Sequence, residues 1–334
     1  MLDARLLSGG PDGLDAALAD TLGSPALLVV DGLRDVDPPG LELLRRVPLV
    51  TAGRAPLDSA HADAVDLVLA DDAALGRAQV GCARAPRAAT AAALLLRCGG
   101  GDWWDGLVRE STTYSMLQGG SEFLGWRSAR GEPAAARDPG PRVRVDRHGR
   151  VTEVTLTRPE RHNALDVRLR DELHAALGEA FAGEGPVVLL GDGPSFCSGG
   201  DLDEFGTFPD PAAAHLVRLS RSLAARLAAH GERVVVGLHG ACLGAGVELP
   251  AFAAHVVAAD DARLGLPELG LGLVPGAGGT VSLPRRIGRH RTLELLVHDG
   301  TISAAAALGW GLVDEVVPRA QLRSRCRQIA ESGS

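Results

Sequence analysis

Two glutamates, Glu248 and Glu268, stand twenty positions apart in glycine-rich frames, Gly244-Ala245-Gly246-Val247-Glu248-Leu249 and Leu266-Pro267-Glu268-Leu269. The second lies just ahead of Pro275-Gly276-Ala277-Gly278-Gly279-Thr280. A general acid or base needs a titratable group held against its substrate, and glycine lets backbone amides approach that substrate closely. The pair therefore suggests acid–base chemistry. Taken singly, either residue also fits an anion at the positive end of a helix. A third glycine turn, Phe196-Cys197-Ser198-Gly199-Gly200-Asp201-Leu202, follows the apolar run Pro186-Val187-Val188-Leu189-Leu190 and puts both carboxylates in company.

The elements that must hold these residues are readable from periodicity. Val187 to Leu190 and Val234 to Leu238 are short unbroken apolar runs suited to buried strands, and each leads into a glycine turn. Val143 to Leu156 alternates like a strand pair turning at His148-Gly149. From Asn163, apolar residues at Leu165, Leu169, Leu173 and Leu177 predict a helix. Another helix is expected to begin near Ala245. Its first amides lack internal partners and carry partial positive charge, so a developing oxyanion is favourable there. Pro250 then falls near the end of the first turn, where a missing donor does little harm. Arg130 to Pro141 reads as a linker rich in glycine and proline, dividing an N-terminal region (1–138) from a core (139–334).

The three glycine turns in this order resemble the crotonase superfamily, the enoyl-CoA hydratases and isomerases. The likeness runs from about Arg142 to Pro318. It begins with Thr157-Arg158-Pro159-Glu160-Arg161-His162-Asn163-Ala164-Leu165-Asp166 and closes with Gly311-Leu312-Val313-Asp314-Glu315-Val316-Val317-Pro318. The resemblance implies an α/β fold, a crotonase-like spiral of ββα units. It also implies an oxyanion hole for the acyl-CoA thioester made by the amides of Gly200 and Ala245. Only the amide matters there, so alanine can stand at 245 in place of the usual glycine; Pro250 is a further departure, since alanine usually follows Glu-Leu. By the same resemblance Glu248 takes a proton from attacking water and Glu268 exchanges the proton at the α carbon. His162 would lie near the CoA adenine. Ala164, Leu165, Ser198, Asp201, Leu202 and Gly244 would line the CoA and substrate path, with Pro267 near the acyl chain. Charge develops on the thioester oxygen during such a reaction, and losing one preorganised donor typically costs about 3 kcal/mol.

Composition narrows the alternatives. The chain has 334 residues, 46% hydrophobic and 23% charged, enough to bury one large core or two smaller ones. A formal charge of −8 argues against a nucleic-acid partner. There is no lysine, so all 34 cationic side chains are arginine, which excludes a lysine Schiff base and a Walker-type phosphate loop. Five scattered cysteines, Cys82, Cys98, Cys197, Cys242 and Cys326, lack metal-ligand spacing and fit a reduced, cytoplasmic protein. Cys197 reads as a small buried thiol beneath its turn. No apolar run is long enough for a bilayer, and the glycine spacing around Gly240 to Gly246 does not fit a dinucleotide-binding turn.

The first 138 residues hold a second pattern. Asp66 to Gly76 matches His255 to Gly265 at seven of eleven positions, and Leu27 to Gly32 and Val47 to Gly53 echo Val188 to Gly193 and Val234 to Gly240 in the same order. This suggests a degenerate crotonase-like half without the catalytic turns. Only sixteen residues follow Pro318, whereas Pro86 to Leu96 and Gly106 to Trp126 resemble the helices that close the family's site. These upstream helices are therefore expected to cap Glu248 and Glu268, in cis or in trans. Trp103, Trp104, Trp126 and Tyr114 in this stretch are expected to pack against a core. The functional expectation is an enoyl-CoA hydratase, or the reverse dehydratase, with no metal or redox cofactor and CoA carried by the substrate. It would form a homo-oligomer, a trimer or dimer of trimers, and have no membrane partner. An isomerase of the same family and a non-catalytic acyl-CoA-binding scaffold are the alternatives.

Overall fold

The computed structural model describes residues 2–3, 27–130, 140–208, 210–298 and 300–332. The N-terminal region holds strands β1 (Leu2–Asp3), β2 (Leu27–Asp31), β3 (Val50–Arg54) and β4 (Leu67–Leu69), with helices α1 (Pro38–Leu44) and α2 (Ser59–Ala62) between them. These strands pair in parallel in the order β1-β2-β3-β4. Helices α3 (Asp72–Arg84), α4 (Pro86–Arg97), α5 (Trp103–Gln118) and α6 (Ser121–Arg130) follow. The last three cover the two stretches predicted as helical. Most of the expected linker, 131–139, lies outside the described residues.

The second region begins with the predicted hairpin, β5 (Val143–His148) and β6 (Val151–Leu156), then α7 (Val167–Ala182), β7 (Val187–Gly191), α8 (Pro211–Ser220) and α9 (Leu223–His230). Next come β8 (Val234–Leu238), β9 (Ala241–Leu243), the single turn α10 (Ala245–Glu248), β10 (His255–Ala259) and β11 (Arg263–Gly265). Helix α11 (Gly279–Val297), β12 (Ile302–Ser303), α12 (Ala304–Trp310), β13 (Glu315–Val317) and α13 (Leu322–Ser332) complete it. Six strands form one sheet in the order β13-β10-β8-β7-β6-β5, parallel except for the β5–β6 hairpin. A smaller sheet, β12-β11-β9, stands beside it. Strand pairs β8–β9 and β10–β11 each run into a short helical turn, which is the ββα repeat.

The apolar strands are buried on both faces, as a parallel sheet covered on two sides requires. Val187, Leu189, Val234, Val236 and Leu238 enter the main core. Their neighbours Val188, Leu190 and Val235 face Leu322, Cys326 and Ala330 of α13. Helix α7 starts later than its leucine spacing predicts. Asn163 has φ 53°, and its side chain accepts from Arg158 N (2.8 Å) and donates to the carbonyls of Asp192 (3.0 Å) and Ser195 (2.8 Å). That anchoring delays the helix until Asp166, whose carboxylate caps Leu169 N at 2.6 Å.

The two regions share one core, which extends from Val50 and Phe123 to Leu312 and Val313. Close approaches of small residues allow this. A Cβ on Gly81 of α3 would stand 2.1 Å from the Val297 carbonyl oxygen of α11, and one on Gly106 of α5 would stand 2.7 Å from a Val281 methyl. Arg97 of α4 grips buried Asp66 through Nε (2.8 Å) and an η nitrogen (2.5 Å), tying the helices to the N-terminal sheet. No helix among the described residues is long and apolar enough to cross a membrane.

Candidate active site

The two glycine turns named by the sequence lie side by side. Cys197 and Cys242 form a parallel bridge, and Leu243 N donates to the Cys197 carbonyl at 3.0 Å. The first turn is pinned by Leu165, whose N–H donates to Gly199 O (2.8 Å) and whose carbonyl accepts from Asp201 N (3.0 Å). That ladder skips Gly200. Neither the Gly200 nor the Ala245 amide donates to an acceptor among the described residues, so both N–H groups are available to a ligand oxygen. Gly244, with φ 50° and ψ −118°, joins the second turn to the carboxylates: a Cβ there would meet Glu268 Oε1 at 2.5 Å. A side chain at this position would clash with the acid as well as strain the backbone.

Glu248 and Glu268 are 2% and 7% exposed and border one cavity of about 250 Å³. Glu248 Oε2 accepts from Ala277 N (2.7 Å) and Gly279 N (2.9 Å). The intervening amides belong to a third carboxylate. Glu110 of α5 accepts from Gly278 N (2.7 Å) with Oε1, and from Thr280 N (2.8 Å) and Oγ1 (2.7 Å) with Oε2. The unpaired amides at the start of α11 are thus shared alternately by two acids from different regions of the chain. Glu110 therefore fixes the turn that aims Glu248.

Burial dominates the electrostatics. It pushes Glu248 well above the ordinary carboxylate range, with the charges of Glu268 and Glu110 adding to the rise. Glu268 is raised to about 8, chiefly by burial and further by Glu110. Its Oε2 is buried and has no hydrogen-bond partner among the described residues, a state suited to a carboxyl that holds and releases a proton. Glu110 is raised only to about 7, because its three hydrogen bonds offset part of the burial. Burial thus shifts all three carboxyls in the same direction, towards holding a proton more tightly, which suits a site that exchanges protons with a substrate.

Gly200, Ala245, Leu165, Ser198, Asp201, Leu202, Gly244 and Pro267 border the same cavity as the two glutamates. Two predicted binding residues stand apart from its wall. His162 places Nδ1 2.9 Å from Ser195 Oγ, and the Ala164 carbonyl accepts from Arg158 at 2.9 Å. Asp201 is paired with Arg158 at 2.7 Å, which neutralises its charge beside the cavity. Cys197 is buried under the turn, and burial raises its thiol to about 11. Pro250, expected near the end of the first turn of this helix, lies beyond it: α10 stops at Glu248, and Pro250 opens a separate 3-10 turn.

The lining or supporting residues that the sequence reading did not assign to the site include Glu110, Tyr114, Gln118 and Arg218. A signal for Glu110 was present, because it falls on the buried stripe of α5 with Leu107, Tyr114 and Leu117. An acid on such a stripe must find donors. Tyr114 does pack in the core, as expected, but it also forms a wall of the cavity.

The sequence profile of the Enoyl-CoA hydratase/isomerase family matches residues 146–332. The chain is similar to a Bacillus subtilis (strain 168) protein named "Probable enoyl-CoA hydratase", at 38% identity over 49% of this chain and 64% of the relative. A Mycobacterium tuberculosis protein named "Probable enoyl-CoA hydratase echA8" is 33% identical over 56% of this chain and 73% of the relative. Among solved structures, an enoyl-CoA hydratase from Thermoplasma volcanium aligns with TM-score 0.53 and 32% identity over 57% of this chain and 78% of that one. An enoyl-CoA hydratase from Bacillus anthracis gives TM-score 0.52 and 34% identity over 57% and 76%. The chain thus spans less than two thirds of the length of the Bacillus subtilis relative.

Proposed function

The chain belongs to the enoyl-CoA hydratase/isomerase family, and from that premise we propose that it adds water across the double bond of an unsaturated acyl-CoA thioester, or performs the reverse dehydration. The observation that carries this reading is the convergence of two buried carboxylates and two unpaired amides on one cavity. The thioester oxygen accepts from Gly200 N–H and Ala245 N–H, which stabilise the enolate-like charge as it develops. Glu248 removes a proton from the attacking water, and Glu268 delivers a proton to the α carbon. Burial supports this reading by raising both carboxyls above the ordinary range, the direction in which a carboxyl becomes a better proton carrier.

The reading calls for no cofactor beyond the CoA carried by the substrate, and for a trimer or dimer of trimers in solution, measurable by light scattering. Incubation with a panel of unsaturated acyl-CoA thioesters should give products heavier by one water. A panel that yields only double-bond migration would assign the site to isomerisation. Tight thioester binding without any turnover would assign it to a scaffold.

A further inference from the structure

A second cavity of about 130 Å³ adjoins the first, and the two share Leu165, Arg170, Arg218, Gly276 and Ala277. The second cavity is bounded by Glu110 and Gly278 but by neither oxyanion amide. A thioester with its oxygen at Gly200 and Ala245 and its reacting carbons at Glu248 and Glu268 would send its acyl tail this way. The tail would meet positive charge: Arg170, Arg218 and Arg221 line the second cavity against the single acid Glu110. Glu110 is fully occupied by its donors, and Arg170 is paired with Asp171 at 2.8 Å.

Arg218 is different. It is half-buried, and its guanidinium donates to Ser111 Oγ (3.0 Å), Ser111 O (3.3 Å), Gln118 Oε1 (3.4 Å) and Ser115 Oγ, all neutral acceptors. It stacks 4.6 Å over the Tyr114 ring, itself a wall of the first cavity. Among the described residues it forms no ion pair. The charge of Glu110 acts on it from beyond ion-pair distance, but a guanidinium withdrawn from water without a directly paired anion is costly, and its planar fork matches a carboxylate. Adding water to a double bond does not require this group.

We propose that Arg218 receives an anionic group at the far end of the acyl chain, so that the preferred substrate is the mono-CoA thioester of a short unsaturated dicarboxylic acid. The proposal rests on the acyl-CoA reading of the site and deepens it. Arg218 is here a specificity residue, with Tyr114 holding its plane.

The test compares chain-matched thioesters, one ending in a carboxylate and one in a methyl group, against wild type, Arg218→Gln and Arg218→Lys. Wild type should favour the carboxylated substrate at least tenfold in kcat/KM. Arg218→Gln should shrink that ratio at least tenfold, and Arg218→Lys should keep part of it. Thermal unfolding identifies variants that have lost the fold, and the charge-conserving lysine variant keeps the ratio measurable. Equal losses on both substrates would make Arg218 a structural bridge between α5 and α8 and overturn the proposal. An equal weakening of free CoA binding would assign the arginine to a CoA phosphate and overturn it too. Dissociation constants for the saturated dicarboxylic and monocarboxylic thioesters separate the two readings. A carboxylate preference in binding without water addition would sink hydration and keep the subsite. Water addition with no preference would do the reverse.

Discussion

Asp71-Asp72-Ala73-Ala74-Leu75-Gly76 and Asp260-Asp261-Ala262-Arg263-Leu264-Gly265 are nearly the same sequence, yet the first opens helix α3 and the second is a turn running into strand β11. Around them the strand order is alike, since β1-β2-β3-β4 repeats the parallel succession β6-β7-β8-β10. The difference lies in a partner. After β8 the chain supplies β9, which pairs with β11 from Arg263↔Ala241 to Gly265↔Leu243. After β3 it passes into α2, so no strand awaits the later segment. With no ladder to join, the segment satisfies its amides as a helix, and Asp71 caps it by accepting from Ala74 N at 2.7 Å. Local sequence here is a weak constraint, and the tertiary neighbour decides. The same contrast underlies the proposed function: the β8–β9 and β10–β11 units deliver Glu248 and Glu268, and the N-terminal region delivers α5, whose Tyr114 and Gln118 border the cavity.

The largest effect should come from the catalytic units. Glu248→Gln and Glu268→Gln should each lower hydration by roughly 10²–10⁴-fold, while changes on the surface of the N-terminal sheet should leave kcat/KM alone. Next is the grip between the N-terminal sheet and its helices. Asp66 is buried under Arg97, so Asp66→Ala should destabilise the fold by about 3–5 kcal/mol in urea unfolding; a loss within error would show that the sheet and its helices are not mechanically joined there. Glu110→Gln probes the joint at the site itself. It removes an acceptor from the α11 amides and lets Glu248 shift, so kcat should fall about 10–10²-fold with a smaller change in KM; an unaltered kcat would deny the N-terminal region any part in the chemistry.

The pH response follows from Glu268. In hydration it must carry its proton, so kcat/KM should fall as pH rises through about 8. Stability moves the same way. A carboxyl raised from 4.5 binds its proton more tightly in the folded state, so its stabilisation is complete below pH 4.5 and is lost as pH climbs through about 8. Glu268→Gln should flatten that slope in unfolding measured between pH 5 and 9. The smallest effect sharpens the opening contrast. Asp71→Ala should cost about 1 kcal/mol by removing a cap, whereas Asp260→Ala, in a turn, should stay within about 0.5 kcal/mol.

The legible parts of the molecule were those whose signal is local. Unbroken valine and leucine runs marked β7 and β8, and glycines with positive φ at Gly199 and Gly244 marked turns that no other residue fits. Glu248 was visible because it follows the Gly244 turn, and Glu268 because Leu266-Pro267-Glu268-Leu269 lies just ahead of a further glycine run. The roles of Glu110 and Arg218 were not, even though Glu110 falls on a buried stripe, since they depend on which helix face meets α11 and the cavity, a matter of packing across more than a hundred residues. The start of α7 was displaced for a similar reason: Asn163 is spent on three backbone groups that only the fold brings near it.

The central claim is that Glu248 and Glu268 jointly add water to a thioester held by Gly200 and Ala245. Reaction of an unsaturated acyl-CoA in doubly labelled water, followed by mass spectrometry, tests it most directly. The wild-type product should gain one labelled oxygen at the β carbon and one deuterium at the α carbon, and both should be lost to roughly the same degree in Glu248→Gln and Glu268→Gln. Deuterium incorporation without oxygen, or full labelling in either variant, would contradict it.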